Sequence, residues 1–250
     1  MQAYPIDHIS QTEQEGGYWL ISLQLPSTCF PTQKPSSTTL KILPPLFHIN
    51  DQFRLSNSDE RLFLFQHTPS NTQHHLQFLC KQPILITDHT KLKIPPPTHK
   101  SARQIKPTEN LLFLGSDLHV APLFYLAKQR SMHLNADHDE KKGQTLALLH
   151  SHDAFPFRVK PAQLMSQHLP PQAIGCSTLL EDWKITNRLT SDLGLPGCFD
   201  GDLAELFSYW LHQTNQDTHA CAPWNIMICA PSIIKKKCLT LSQSYDWIRV

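Results

Sequence analysis

The chain has 250 residues, 22 basic against 21 acidic side chains and a formal net charge of +1. This length buries one large core or two ordinary ones, and the balanced charge excludes a protein that grips nucleic acid through a basic stripe. No stretch approaches the roughly 18 apolar residues of a membrane span, and the opening MQAYPIDHISQTEQEGG lacks the basic, apolar and cleavage regions of a signal peptide, so a soluble cytoplasmic protein is expected.

In chain order, Tyr18–Leu25 alternates as a strand does, after which the Pro- and hydroxyl-rich run Pro26–Ser37 reads as a loop. Thr39–Leu43, Arg61–Gln66, Leu76–Cys80, Ile84–Thr87 and Lys91–Ile94 are further short strands, separated by Pro, Ser, Thr and Asn clusters. Short strands at this spacing predict a small barrel or sandwich. Pro95–Pro97 and the polar segment to Pro107 read as a linker. Strand and helix then alternate. Leu111–Leu114 is a buried strand, Ala121–Arg130 a helix, His133–Gly143 a polar loop and Thr145–His150 a strand. Pro161–His168 and Leu179–Leu193 read as helical, and Gly201–Gln213 as an amphipathic helix with Asp200 and Asp202 at its N-terminus. Trp224–Cys229 is a strand and Ile233–Tyr245 a closing helix that exposes Lys235–Lys237. The alternation predicts a mostly parallel sheet covered by helices. The expected architecture is an N-terminal small β-barrel (1–100) followed by a Rossmann-like α/β nucleotide-binding domain (108–250).

Eight glycines stand against 20 prolines, and none lies between Gly17 and Gly115. Glycine lets backbone approach a phosphate closely, whereas proline supplies no N–H. Seven cysteines (29, 80, 176, 198, 221, 229 and 238) are scattered without a CxxC pair, so buried free thiols are expected rather than disulfides or a zinc ribbon. The 15 histidines, including His150-Ser-His152-Asp153, His138 beside Asp137 and Asp139, and His74-His75, match no metal-ligand spacing and read as solvated polar residues. No GxSxG nucleophile elbow occurs.

Asn110–Arg130, NLLFLGSDLHVAPLFYLAKQR, reads as strand, turn and helix, the first half of a nucleotide-binding βαβ unit. Its turn, GSDLHVAP, keeps Gly115, Val120 and Pro122 of a GGGxGIxP pattern. Cys229-Ala230-Pro231 stands where a late strand ends in CGP, and LLEDW…PGCFDG…ELFSYWL (Leu179–Leu211) and SHDAFPFR (Ser151–Arg158) extend the match. With these motifs the chain resembles the ferredoxin–NADP reductase superfamily, and more narrowly proteins akin to the electron-transfer subunit of dihydroorotate dehydrogenase, from about Leu111 to Tyr245.

The resemblance implies a barrel that binds FAD and a second domain that binds NAD(P)H, with electrons passed to a redox partner protein or dehydrogenase subunit. Arg61-Leu62-Phe63-Leu64 takes the position of the Arg-x-Tyr/Leu-Ser motif that holds the flavin and its pyrophosphate. Arg61 matches, and Leu64 lacks the hydroxyl. Ile94-Pro95-Pro96-Pro97-Thr98 replaces a glycine-rich GPxG loop. The nucleotide would meet Gly115, Ser116, Val120, Ala121, Pro122, Ala230 and Pro231, and Cys229 would lie near the nicotinamide as the catalytic cysteine. In the turn, Asp117 and His119 would obstruct a pyrophosphate, and Asp117 would repel it. The C-terminal cysteine cluster that ligates a two-iron two-sulfur centre is missing, so no iron–sulfur cluster is expected. Two functions follow: a flavoprotein oxidoreductase or electron-transfer subunit, or a cofactor-free descendant that binds a partner.

Overall fold

The computed structural model describes residues 2–29, 53–70, 72–94, 105–136, 142–217 and 222–250. The expected strand Thr39–Leu43, Pro95–Pro97, and the His138 group lie outside them, as does most of the Pro26–Ser37 loop. The described elements are β1 (Gln2–Pro5), β2 (His8–Glu13), β3 (Trp19–Pro26), β4 (Arg54–Leu55), β5 (Phe63–Pro69), β6 (Gln73–Cys80), β7 (Lys91–Ile94) and β8 (Asn110–Ser116). They continue with α1 (Val120–Ala136), β9 (Thr145–Ser151), β10 (Lys160–Pro161), β11 (Gly175–Cys176), α2 (Thr178–Asp182), β12 (Thr186–Ser191) and β13 (Phe199–Asp200). The last are α3 (Leu203–Gln216), β14 (Trp224–Cys229), α4 (Ser232–Ser242) and β15 (Ile248–Arg249).

The N-terminal strands form two antiparallel sheets, ordered β2-β3-β6-β5 and β1-β7-β4. Alternate residues of β3 (Ile21, Leu23, Leu25) and β6 (Leu76, Phe78) turn inward and meet Phe53, Leu55, Leu62 and Leu92. The result is the small barrel-like layer expected from the strand spacing. The second part is a six-stranded parallel sheet, ordered β13-β12-β9-β8-β14-β15. Its central strands read as unbroken apolar runs because both faces are covered. Leu111 and Phe113 of β8 face α1 and the barrel, whereas Leu112 and Leu114 face α3 and α4. This barrel-plus-Rossmann-like arrangement is the ferredoxin-reductase-like fold.

Arg130 of α1, fully buried, fixes the start of that sheet. It donates to Thr145 Oγ1 (2.8 Å) and to the carbonyls of Glu109 (2.6 Å) and Lys106.

Several sequence expectations are corrected. Ile84–Thr87 is not a strand. Ile84 N–H donates to the Gln11 side chain, and Thr87 and Thr90 close a turn on each other. Pro161–His168 is not a helix, because its backbone is spent elsewhere: Gln163 and Leu164 N–H donate to the buried Glu181 carboxylate. Leu179–Leu193 is helical only as α2. Lys184 at φ +61° ends that turn, and the following residues form the buried strand β12. The strand expected at Arg61–Gln66 begins at Phe63, with Leu62 bridged to Phe53. The strands β1 and β2 were not foreseen. Asp202, not Asp200, caps α3 through a capping box with Glu205, and Lys237 is not simply solvated but bonds Asp202 at 2.7 Å.

Candidate functional site

In the parallel sheet, strand order runs outward from β8 through β9 and β12 on one side and through β14 on the other. The reversal lies between β8 and β14, and ligands of open α/β sheets bind outside the carboxyl ends at such a point. Register sets Gly115 beside Cys229 there. The residues expected at the nucleotide turn are therefore brought together: Gly115, Ser116, Val120, Ala121 and Pro122 on one strand end and helix start, Cys229, Ala230 and Pro231 on the other.

Most of them are covered, however: Cys229 is 2% exposed, and Ser116, Val120 and Ala121 are buried, while Ala230 and Pro231 are half-buried. Burial pushes the Cys229 thiol well above its ordinary range, opposed only by Lys235, so the thiol is neutral. A Cβ at Gly115 would meet the end of the Leu123 side chain at 2.5 Å, so that methyl would have to shift.

The turn itself holds an internal anion. Asp117 adopts φ +52°, a region that Asp tolerates better than most residues. Its carboxylate accepts from Ser116 Oγ and from His152 N–H, both at 2.9 Å. Ser116, fully buried, also lies 2.8 Å from His150 Nδ1, and His150 Nε2 lies 3.0 Å from Asp192 Oδ1. His152 Nδ1 meets the other Asp192 oxygen at 2.8 Å. Partial burial would raise the Asp192 carboxyl, but hydrogen bonds from His152 and His150 outweigh it and hold the group low. The hydrogen bond to Asp192, with the nearby Asp153 charge, raises His152. The expectation that these histidines are solvated is corrected for His150, which is 2% exposed. Among the described residues no group of three His, Cys, Asp or Glu side chains is arranged to hold a metal.

A second polar cluster lies on the barrel side. Alternation buries Leu62 and Leu64 in the barrel core and leaves Arg61 and Phe63 on the opposite face, toward α1. The Arg61 guanidinium carbon sits 4.9 Å from the Phe63 ring centre, and the His119 ring packs edge-on against Phe63 with centroids 4.8 Å apart. Arg54 Nε, Arg61 Nε and His119 Nδ1 are all buried without a hydrogen-bond partner. Burial and then the neighbouring Arg54 charge lower Arg61; burial and then Arg61 lower His119. Buried polar nitrogens normally have partners, so the Arg61 and Arg54 guanidiniums, the latter also 3.9 Å from the Asp59 carboxylate, fit an anion between the two parts of the chain.

The groups that the resemblance implies fit unequally. A flavin phosphate suits the three nitrogens, and Phe63 offers an aromatic face beside them. Leu64 offers no polar atom, and Phe63 is only 6% exposed beneath α1. A pyridine-nucleotide pyrophosphate does not fit the other cluster. The donors at the strand ends are already given to Asp117, and two carboxylates occupy the space near an anion's approach.

No protein-family model matches the chain, and no curated protein is significantly similar in sequence. Solved structures do match in shape. A cytochrome P450 reductase, GcoB, from Amycolatopsis aligns over 99% of this chain and 68% of its own, with 12% identity and a TM-score of 0.53. Ferredoxin-NADP+ reductase from Plasmodium falciparum, with 2'P-AMP, aligns over 99% and 95%, with 10% identity and a TM-score of 0.52. The FAD/NAD-binding domain of a nitric oxide dioxygenase from Vibrio cholerae aligns over 99% and 96%, with 11% identity and a TM-score of 0.51. At these identities the likeness establishes the ferredoxin-reductase-like fold.

Arg54, His119 and the His150–Asp192 pair that continues from Ser116 were missed as site residues. One signal was available for the last: β8 and β9 end in Gly-Ser and His-Ser after apolar runs, which marks polar residues side by side at the carboxyl edge. Arg54 lies seven residues before Arg61 on a separate strand, and sequence spacing gives no sign that they converge.

Proposed function

We propose that the chain is a ferredoxin-reductase-like electron-transfer flavoprotein, with the flavin phosphate held by Arg61, Arg54 and His119. The observation that carries this reading is the pair of buried, unpartnered nitrogens of Arg61 and His119 beside Phe63, with Arg54 near enough for its charge to lower Arg61. Arg61 is the residue that the superfamily motif assigns to the phosphate, and its pairing with a phosphate is charge-assisted. A bound flavin supplies one- and two-electron chemistry, and the chain supplies its position and electrostatics. The misfit at Asp117 argues that electrons arrive from a protein partner rather than from NAD(P)H bound at the β8 turn. The sequence likeness of Leu179–Leu211 to electron-transfer subunits of dihydroorotate dehydrogenase supports a dehydrogenase-like partner. On this reading Cys229 packs the switch point and does no chemistry.

A second reading, a cofactor-free scaffold that binds a partner, is favoured by the burial of Phe63 beneath α1 and by Leu64. Spectra separate the two. Purified protein, or protein refolded with FAD, is expected to show bound-flavin absorbance near one equivalent, lost in Arg61→Ala. Colourless protein that takes up neither FAD nor FMN under either condition overturns the flavoprotein reading and leaves the scaffold.

A further inference from the structure

Between the barrel and the parallel sheet lies a cavity of about 150 Å³. We propose that it binds a single aromatic ring bearing one hydrogen-bonding oxygen, a ligand of phenol size, with Ser177 as its polar partner. The proposal is independent of the flavin reading.

The walls are apolar. Phe65 and Leu79 come from the barrel, Phe124 from α1, and Phe157 from the segment after β9. Phe65 and Phe124 centroids are 5.5 Å apart, and Phe124 and Phe157 are 5.7 Å apart at 64°. Such tilted rings receive another ring well, edge to face. An apolar cavity of about 150 Å³ stays dry and takes up one benzene ring, whereas drug-sized ligands need about 300 Å³ or more. A tricyclic flavin or a dinucleotide is therefore excluded by size.

One polar group on the wall is unsatisfied. Ser177 is 1% exposed, and its hydroxyl has no hydrogen-bond partner. It stands at the N-cap of α2, where a serine hydroxyl ordinarily accepts a backbone N–H, yet it makes no cap bond. The buried Asn187 holds its backbone on both sides, accepting from Ser177 N–H at 2.7 Å and donating to its carbonyl at 3.2 Å. The other polar lining residue, Gln14, bonds its amide nitrogen to neighbouring carbonyls. A lone water needs two to four polar partners, and the buried Ser177 hydroxyl is the one fully buried side-chain group on these walls left without any. A ligand that brings its own ring and one oxygen meets the requirement.

The cavity is preformed by a close approach. The β2–β3 turn carries Gly16 at φ +67°, where an added Cβ would lie 2.8 Å from both the Ala154 Cβ and the Phe155 carbonyl. The hairpin thereby docks on the segment that leads into Pro156 and Phe157, which line the cavity.

Titration of the full chain with phenol and with benzene, followed by calorimetry and by protein-detected NMR, tests the site. Wild type is expected to bind one phenol, with shifts confined to cavity residues. Ser177→Ala should weaken phenol about tenfold while changing benzene by less than about twofold. Leu179→Trp, which fills the cavity, should abolish both. No saturable phenol binding at millimolar concentration overturns the proposal. So does phenol affinity that Ser177→Ala leaves unchanged, which would mean apolar uptake only. If Leu179→Trp fails to fold, the phenol-to-benzene comparison in Ser177→Ala still decides.

Discussion

Removing the Asp117 carboxylate should loosen the turn after β8. Its two hydrogen bonds, from Ser116 Oγ and His152 N–H, are charge-assisted and contribute on the order of 1.5–3 kcal/mol each when desolvated. His152 is exposed, so its freed N–H reaches water and the lower end of that range applies. Asp117→Gly also relieves a left-handed backbone conformation at φ +52°, which returns about 1 kcal/mol. The net loss is about 2–3.5 kcal/mol, and for a chain of this size each kcal/mol lowers the melting temperature by about 2–4 °C. Asp117→Asn, which keeps the left-handed preference and loses the charge, should fall between wild type and the glycine variant. Thermal melts by circular dichroism at neutral pH measure this. An Asp117→Gly protein that melts at or above wild type would refute the claim that the carboxylate holds the turn. The same variant tests the plugged-turn account: ADP-ribose affinity should rise when Asp117 is replaced by glycine, and no gain counts against a blocked phosphate subsite.

Three further outcomes are expected. The His67 and His74 rings are stacked, with nitrogens 2.8 Å apart, and burial followed by the His74 charge lowers His67 to about 4. Since its folded pKa lies below the unfolded value, its contribution is whole above about pH 6.5 and declines as pH falls toward 4; urea unfolding across that range should show the loss, and His67→Gln should flatten it. Trp210, buried in edge-on contact with Trp224 and Trp247, should cost about 3–5 kcal/mol on truncation to alanine, read by denaturant midpoint. Asp202→Ala should cost about 1 kcal/mol through loss of the α3 cap, with little added by the exposed Lys237 pair, measured in the same way.

The sequence made the parallel sheet legible because strands buried on both faces leave unmistakable apolar runs, as in Leu111–Leu114 and Trp224–Cys229. The same rule failed at Leu179–Leu193. There Thr186, Asn187 and Thr190 hide a central strand whose polar groups are satisfied by neighbours, Asn187 by Ser177 and Thr190 by the Gly201 carbonyl. At the candidate site Arg61 was legible from its motif, whereas His119 appeared only as an obstacle in the turn. Its actual neighbour is Phe63, 56 positions earlier, and no local pattern encodes such a meeting. His150 was misjudged for a related reason: a histidine at a strand end is solvated or buried according to what the adjacent strands present, here Ser116 and Thr190.

The apolar cluster that begins with Ile21 of β3 continues without a break through Phe124 of α1 to Leu189 of β12 and Cys229 of β14. Two parts welded in this way cannot swing apart as hinged halves do, because any opening exposes the shared interior to water. Heat or denaturant should take the barrel and the parallel sheet down in one cooperative step. Either part expressed alone would carry half of an unmated core and tend to aggregate.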